Sequence, residues 1–354
     1  MKILYCGLHY DYGNPARGLC LEYKNMYGTL QNMEGVEVSF FGIDDEMLAL
    51  GRDKMNEKLL ATVAEQKPDL VFFVLFTEEL KKETVTAITK QTKTFNWFGD
   101  DHWRVPIYSR FWAPQFNLVG TTDSKAFEQY HAYGITNVIK TQWAVNHFLY
   151  KPQDPSLDLH KYNITFFGQK YGKRNEYIEL LKSSGLPAEG IGRGWGNTSG
   201  SDVQEMLNIY SFSKINLNFS ETPYVGFKKK MNLVSKLFVK KELGKYSLNI
   251  HHFFDNWKAM RGTQRLTIKA RVFEVPACGG FLLTGKSDED LSPHYSLGKE
   301  VVQFDGQDDL LEKAKYYLAH EEERKAIARA GYERTLRDHT YLSRFKEIFK
   351  RLLQ

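Results

Sequence analysis

The sequence alternates short apolar runs with longer amphipathic stretches, and it does so in both halves. The clearest run in the first half is residues 69–74, where every position after Asp69 is apolar. Such a run suits a strand that is covered on both faces, as in a parallel sheet. The alternation begins again at residues 163–168. This order predicts repeated βαβ units, so we expect an α/β fold built from two Rossmann-like domains.

The predicted elements are spread over the whole chain. Strands are expected at residues 3–6, 36–41, 69–74, 94–98, 118–121, 138–140, 163–168, 215–219, 281–284 and 301–304. Helices are expected at residues 19–33, 55–66, 80–91, 124–133, 174–183, 203–212 and 271–277. The tail, residues 308–354, is predicted to be almost wholly helical.

The length of 354 residues also favours two domains over one core. The best linker is a polar stretch with two prolines, Pro152 and Pro155. We therefore predict a first domain over residues 1–155, a second over residues 156–335, and a final helix over residues 336–354.

Three cysteines, Cys6, Cys20 and Cys278, show no paired metal-binding spacing, which indicates free thiols in a reducing compartment. No stretch approaches the roughly 20 apolar residues of a membrane helix, and the N-terminus lacks the apolar core of a signal peptide. We therefore expect a cytoplasmic protein without a transmembrane segment. The sequence leaves its oligomeric state open.

The net charge of +5 is unevenly distributed along the chain. Residues 225–264 carry nine Lys and Arg side chains against two acidic ones. We predict a basic insert at about residues 225–265 within the second domain, either as a solvated helical face or as a docking patch for an anion. Phosphate-bearing polymers or DNA would suit such a patch. The predicted acceptor or polyanion contacts are Lys228, Lys229, Lys230 and Trp257.

Polar residues follow two predicted strands of the first domain. Asp100, Asp101 and His102 follow the run at residues 95–98, with one glycine between. Two carboxylates and an imidazole can orient or deprotonate a hydroxyl, so these three are the predicted catalytic residues, with turn and capping roles as the alternative. Gly13 and Arg17 lie in the loop after the first strand and are predicted to face the phosphate of a bound ligand. That loop lacks the dinucleotide-binding fingerprint.

The densest motif begins at Arg271 and reads RVFEVPACGGFLLT, followed after an acidic loop by GYER and HTY. This segment resembles the C-terminal half of the CgeB-like glycosyltransferases, relatives of glycosyltransferase family 4 with a GT-B fold. Weaker similarity extends upstream to residues 165–168 and 192–195. The resemblance implies two Rossmann-like domains that face a central cleft, with the last helix crossing back to the first domain. It also implies an enzyme that moves a sugar from a UDP- or GDP-sugar to an acceptor hydroxyl.

The resemblance implies a donor site in the second domain. Glu274 would accept hydrogen bonds from the ribose hydroxyls, while Lys269 or Arg271 would approach the phosphates. Arg174 begins a helix just past the first strand of this domain, where the ligand crevice of a parallel sheet opens. The predicted donor-binding set is Gly13, Arg17, Gly168, Arg174, Lys269, Arg271, Glu274, Gly279 and Gly280.

The sequence departs from family 4 at one position. Many members carry two glutamates eight residues apart, and the residue eight before Glu274 is Leu266. The first carboxylate is missing or is supplied elsewhere, with Glu289 as a candidate. The triplet at residues 288–290 has the D-x-D pattern but is interpreted as a charged loop, so we expect no metal and no cofactor other than the nucleotide-sugar co-substrate.

Three questions stay open from the sequence. Family 4 implies retention of the anomeric configuration, whereas an aspartate base would give inversion. The missing glutamate leaves a catalytically silent nucleotide-sugar-binding or surface-assembly protein as the alternative function. The acceptor is a glycan, a polymer or, as in phage-type DNA glycosyltransferases, a modified DNA base.

Overall fold

The computed structural model describes residues 1–154, 156, 162–196, 202–220, 239–242, 245–248 and 253–354. Lys228, Lys229 and Lys230, the core of the predicted polyanion contact, lie outside the described residues. The chain divides into two compact units. The first unit comprises Met1–Gln142, the described part of residues 227–263, and Tyr341–Gln354; the second comprises the described parts of residues 143–226 and 264–340. The described residues of the predicted insert therefore group with the first unit, which differs from the predicted boundaries.

The described strands, in chain order, are β1 (Lys2–Gly7), β2 (Glu37–Gly42), β3 (Leu70–Phe73), β4 (Lys93–Phe98), β5 (Leu118–Thr121), β6 (Val138–Lys140), β7 (Ile164–Phe167), β8 (Ala188–Ile191), β9 (Ile215–Asn218), β10 (Val239–Glu242), β11 (Lys245–Leu248), β12 (Leu282–Gly285) and β13 (Val302–Phe304). The described α-helices are α1 (Gly28–Gln31), α2 (Ile43–Gln66), α3 (Lys82–Thr89), α4 (Asp101–Arg104), α5 (Arg110–Trp112), α6 (Ser124–Ala132), α7 (Arg174–Ser183), α8 (Val203–Phe212), α9 (Phe253–Gly262), α10 (Arg271–Ala277), α11 (Gln307–Ala319), α12 (Glu321–Asp338) and α13 (Tyr341–Leu353). Two π-helical turns, Tyr23–Tyr27 and Val105–Ser109, precede α1 and α5.

The first unit is built on a six-stranded parallel sheet in the order β2-β1-β3-β4-β5-β6. Its central strand β3 is fully buried, which explains why that stretch is apolar at successive positions. Because all six strands run the same way, their carboxyl ends share one edge of the sheet. The loops that follow β1, β2 and β4 begin at this edge, where ligands of open α/β sheets bind.

The last helix, α13, completes the core of the first unit. Its apolar residues recur at helical spacing, so one face of the helix is buried. Phe345 lies edge-on to Phe72 of β3 with ring centroids 5.3 Å apart, and Tyr341 lies 5.9 Å from Trp97 of β4. The C-terminal helix therefore packs with the first sheet, as the fold prediction required.

The second unit is built on a five-stranded parallel sheet in the order β13-β12-β9-β7-β8. Apolar clusters cover both of its faces. Asp202 caps the N-terminus of helix α8: its carboxylate accepts hydrogen bonds from the backbone N–H groups of Gln204 and Glu205. Helix α10 connects the loop after β9 with β12, and it positions the predicted donor residues. The two parallel sheets with their helices confirm the predicted α/β class.

Outside the two main sheets, β10 and β11 form an antiparallel pair. Cys6, Cys20 and Cys278 are buried free thiols. Among the helices of the described residues, none has the length and apolar character needed to cross a membrane.

Candidate functional site

The candidate site lies in the second unit, at the carboxyl ends of β7 and β9. Gly168 follows β7 directly, and a side chain at this position would collide with Arg271, since its Cβ would lie 2.6 Å from Nη2. The glycine therefore allows the arginine to approach the end of the strand. Gly192 follows β8, and a Cβ there would lie 3.0 Å from the Gly168 carbonyl oxygen. Glycine is therefore needed at both strand ends, because Arg271 and the neighbouring backbone approach them closely.

Arg271 is the first residue of α10 and is held at the edge by neighbours from two strands. Its guanidinium lies 4.7 Å from the ring centroid of Phe166 on β7. Its Nη1 donates a 3.0 Å hydrogen bond to Oδ1 of Asn218, the last residue of β9. The Nε atom is enclosed but has no hydrogen-bond partner among the described residues. One donor of this fixed cation therefore has no partner within the described chain.

Arg174, the first residue of α7, is a second cation on the same aromatic ring. Its guanidinium lies 4.9 Å from the centroid of Phe166 and stacks at 3.6 Å on Tyr171. It donates hydrogen bonds to the Gln169 carbonyl oxygen at 2.9 Å and to the Tyr171 hydroxyl at 2.6 Å. Only 4% of Arg174 is exposed, so it is a built part of the unit rather than a surface arginine. The structure thus brings Gly168, Arg174 and Arg271 together, as predicted from the sequence.

Glu274 lies one turn after Arg271 on α10 and is 5% exposed. Its carboxylate is close to two buried groups. Burial raises the pKa of Tyr210, the Arg271 guanidinium opposes that rise, and the Glu274 carboxylate adds to it. Burial and the same carboxylate raise the pKa of the Cys278 thiol. A buried carboxylate and the guanidinium of Arg271 therefore act on one tyrosine hydroxyl.

Lys269 lies on the loop that leads into α10, at the same edge. Its Nζ donates a 2.5 Å hydrogen bond to the Thr267 hydroxyl. The backbone N–H of Thr267 in turn donates to the Ser220 carbonyl oxygen beyond β9. The loop is therefore tied to the end of the strand, and it adds a third positive charge near the arginines.

The predicted glycine pair, Gly279 and Gly280, lies at the opposite edge of the sheet. Helix α10 is about 10 Å long, and it carries the chain from Arg271 back to the amino end of β12. Gly279 has a φ of 74° and follows the helix as a C-terminal cap. A Cβ on Gly280 would lie 2.2 Å from the Tyr210 carbonyl oxygen. Chain reversal and close packing account for both glycines, so this geometry gives no support to their predicted donor contact.

The position of the missing first glutamate has a carboxylate beside it, from Asp288 rather than Glu289. The Asp288 carboxylate accepts a 3.1 Å hydrogen bond from the Leu266 N–H, and the Asp288 N–H donates to the Leu266 carbonyl oxygen. Arg265 Nε lies 3.8 Å from the same carboxylate. Asp290, the other aspartate of the D-x-D triplet, accepts a hydrogen bond from the Ser292 N–H at 3.0 Å. Asp288 therefore ties its loop to the loop before α10, whereas Asp290 organises its own loop.

The three predicted catalytic residues lie together in the first unit but differ in access. Asp100 is exposed and His102 is half-buried. Asp101 is 1% exposed and accepts hydrogen bonds from the hydroxyls of Ser109 at 2.5 Å and Tyr130 at 2.9 Å. Burial raises the pKa of Asp101 to about 6. Its carboxylate bonds two hydroxyls in the interior of the unit, which favours a structural role for Asp101. No side-chain hydrogen bond from the described residues caps α4, and catalysis by this triplet stays a prediction.

Gly13 and Arg17 lie in the loop after β1 of the first unit. Gly13 has a φ of 66° and follows Tyr12, which also has a positive φ. Arg17 pairs with Asp11 at 2.6 Å and lies 4.5 Å from the Tyr12 ring centroid. The positive charge of Arg17 is thus offset within its own loop, and its predicted role at the donor stays a prediction.

Trp257 lies on an exposed stripe of α9. Phe254, Trp257, Lys258 and Arg261 are all exposed, at the spacing of one helix face. Trp257 is 40% and Phe254 is 74% exposed, and the Arg261 guanidinium lies 4.9 Å from the Trp257 ring. On the other face Asp255 pairs with Arg110 at 2.7 Å. The exposed face of α9 is therefore aromatic and basic.

Trp195 lies at the carboxyl edge of the second sheet and was not among the predicted site residues. Its Nε1 donates a 2.8 Å hydrogen bond to the Gly168 carbonyl oxygen. The indole also covers β8, since a Cβ on Gly190 would lie 2.4 Å from it. The GRGW segment was recognised in the resemblance, but its contact with Gly168 joins residues 27 positions apart. No local pattern indicates that contact.

Known proteins resemble this chain in sequence and in fold. Residues 242–350 match a family model described as glycosyl transferase-like. The spore protein CgeB of Bacillus subtilis is 25% identical over 296 residues, which cover 82% of this chain and 84% of CgeB. The predicted resemblance to CgeB-like glycosyltransferases is confirmed. The predicted enzyme class, a glycosyltransferase, is confirmed with it.

Solved structures share the fold of this glycosyltransferase along its whole length. A sucrose-phosphate synthase from Thermosynechococcus elongatus aligns with a TM-score of 0.59 at 10% identity, over 100% of this chain and 99% of that one. The Anabaena protein HepE, in complex with UDP-glucose, aligns with a TM-score of 0.58 at 12% identity, over 99% of each chain. The predicted GT-B fold is confirmed.

Proposed function

We propose that this glycosyltransferase uses a nucleotide-sugar donor whose diphosphate binds at the carboxyl ends of β7 and β9. The observation that carries the proposal is the pair of guanidiniums, from Arg174 and Arg271, on the ring of Phe166. Arginine binds phosphate oxygens through paired N–H donors, and glycines at a strand end let a diphosphate approach the backbone. The similarity to HepE, whose structure contains UDP-glucose, supports the same class of donor.

The proposed chemistry follows from where the charge develops. As the acceptor oxygen bonds to the anomeric carbon, the bond from that carbon to the diphosphate breaks and negative charge grows on the leaving phosphate. Arg174, Arg271 and Lys269 would stabilise this charge without reorganisation, because they are already fixed at the edge. The resemblance to family 4 implies retention, with the acceptor proton passing to the departing phosphate. We propose this route without a metal ion, and we propose that Glu274 accepts hydrogen bonds from the ribose.

The test uses the purified chain with a panel of UDP- and GDP-sugars, with nucleotide release measured by mass spectrometry and nucleotide binding by calorimetry. One panel member should be turned over, and Glu274→Ala should weaken binding of the released nucleotide by a few kcal/mol. Glu323→Ala, on the exposed face of α12, is the matched control and should behave as the wild type. Unchanged nucleotide affinity in Glu274→Ala would contradict the proposal that Glu274 binds the ribose of the donor. Nucleotide binding without turnover of any donor would favour the silent binding protein.

The exposed stripe of α9 favours a polyanionic acceptor, including DNA. Its two cations can pair with phosphates, and its aromatic rings can stack on bases. We propose that Trp257 belongs to this contact. A gel shift with plain and base-modified single-stranded DNA should show binding that weakens with salt, and Trp257→Ser should reduce it. Absence of a shift at low salt would reject DNA and leave a glycan or another polymer.

A further inference from the structure

A second polar cluster lies at the carboxyl edge of the first sheet, where β1 and β2 end. His9 follows β1, and its Nδ1 lies 2.8 Å from Oδ2 of Asp45, at the start of α2. A carboxylate accepts hydrogen bonds but cannot donate them, so Nδ1 carries the hydrogen of this contact. In the neutral ring, Nε2 is then the acceptor. Nε2 has no partner among the described residues and is open to solvent.

The neighbouring residue, Asp44, shows that this pairing is not needed to hold the loop. The Asp44 carboxylate accepts hydrogen bonds from the backbone N–H groups of His9 at 2.7 Å and Tyr10 at 2.9 Å. Asp44 is buried, whereas the side chain of Asp45 is 46% exposed. Two adjacent aspartates therefore do different work: Asp44 fixes the backbone of the loop, and Asp45 orients only the imidazole.

Glycine and aromatic residues complete the surroundings of His9. A Cβ on Gly42 would lie 2.6 Å from Asp45 Oδ2, so the end of β2 admits the carboxylate only because it is glycine. The rings of Tyr10, Tyr23 and Phe40 lie 4.3, 4.9 and 5.5 Å from the imidazole centroid. All three are half-buried, and they surround the hydrogen-bond acceptor with flat apolar faces. A ligand with hydroxyls and an apolar ring face matches these two kinds of group.

We propose that His9, oriented by Asp45, receives the hydroxyl of a carbohydrate acceptor, with the rings of Tyr10, Tyr23 and Phe40 as the wall of that site. This site deepens the proposed function and rests on it, because a carbohydrate bound here is a sugar acceptor only if the chain transfers sugar from a nucleotide donor. The hydroxyl donates a hydrogen bond to Nε2. Because its hydrogen points toward the imidazole, a lone pair of the hydroxyl oxygen points away from the imidazole. His9 would touch the substrate, whereas Asp45 would act through His9 as a positioning residue.

The test is chemical footprinting of the full chain with diethyl pyrocarbonate, which modifies unprotonated imidazole nitrogens. The probe is a concentrated mixture of methyl glucoside, methyl galactoside and methyl mannoside. His9 should be modified in the free protein and protected severalfold by the mixture. His131, exposed on α6 of the same unit, is the internal control and should stay unprotected. Equal labelling of His9 with and without the glycosides would overturn the proposal.

Two variants distinguish a site from a structural contact. His9→Phe keeps an aromatic ring but removes the accepting nitrogen, so the sugar hydroxyl is no longer held in place. The variant should lower kcat/KM for sugar transfer about 10²-fold while nucleotide affinity is unchanged. Asp45→Asn should lower glycoside protection of His9 while its labelling without glycoside persists, and His131→Phe should behave as the wild type. If His9 is protected but no nucleotide binds, the donor proposal fails and the carbohydrate site stands. If nucleotide binds and His9 is unprotected, the carbohydrate site fails and the donor proposal stands.

Discussion

The carboxyl edges of the two parallel sheets share a topology but carry different side chains. At the second sheet, Arg174 and Arg271 flank one phenylalanine ring, and Lys269 adds a further cation. At the first sheet, the loop after β1 presents an imidazole held by a carboxylate, and the nearby Arg17 is paired with Asp11. One edge thus suits a diphosphate and the other an uncharged hydroxyl. The comparison teaches that the same βα framework can be specialised through the residues that follow its strands.

The largest effect is expected from removing a cation at the second edge. Arg271→Met keeps an unbranched side chain but removes the guanidinium that lies over Phe166, so the leaving phosphate is no longer stabilised. We expect turnover of the donor to fall by about 10²–10³-fold, measured by nucleotide release. Arg329→Met, at an exposed arginine of α12 in the same unit, is the matched control. Wild-type turnover in Arg271→Met would break the contrast between the two edges.

The next effect concerns Asp101, the buried carboxylate of the first unit. Burial raises its pKa from 3.8 to about 6, so the folded state binds this proton more tightly than the unfolded state does. Its contribution to stability is therefore present below about pH 4 and is lost as the pH rises through about 6. Asparagine does not ionise, so Asp101→Asn keeps its stability as the pH rises. The free energy of unfolding of the variant, relative to that of the wild type, should therefore rise by about 2–3 kcal/mol between pH 4 and pH 7.5.

Urea unfolding of both proteins across this pH range measures the difference directly. Asp53→Asn, an exposed carboxylate paired with Lys81, is the control and should show no such rise. Parallel stability curves for the wild type and Asp101→Asn would show that the carboxylate is not penalised by burial. That result would return Asp101 to the set of accessible catalytic candidates.

The smallest effect is expected at Gly168. In Gly168→Ala the new methyl group would displace the guanidinium of Arg271, which is the far end of a flexible side chain. Folding stability should also fall, because Gly168 has a φ of 152° that alanine rarely adopts. Nucleotide affinity should fall about tenfold because the cation is moved. Calorimetry and thermal unfolding of the same preparation separate the two quantities. A large loss of stability with unchanged affinity would mean that Gly168 serves the fold rather than the site.

The framework of the fold could be predicted because each strand has a local apolar pattern. The strand β8 was missed: it reads AEGI, and its Gly190 leaves room for the Trp195 ring, which comes later in the sequence. Helix α2 was predicted only from residue 55 because Gly51, with a φ of 76°, interrupts its periodicity. Local patterns fail where a distant side chain or a backbone break decides the structure.

The donor edge was partly predictable, and the first edge was not. Arg271 and Glu274 lie within one motif, so the sequence brings them together on a single helix turn. His9 and Asp45 are 36 residues apart and belong to different elements, so neither residue indicates the other. The contact between Asp288 and Leu266 is also long-range, which explains why Glu289 was considered instead.

The most direct test of the account is a crystal structure of the chain soaked with UDP-glucose. The account predicts the diphosphate between Arg174 and Arg271, beside Gly168, with the ribose hydroxyls at Glu274. A nucleotide bound at the end of β1 or elsewhere, with these two guanidiniums still free of phosphate, would contradict the assignment of the second edge as the donor site.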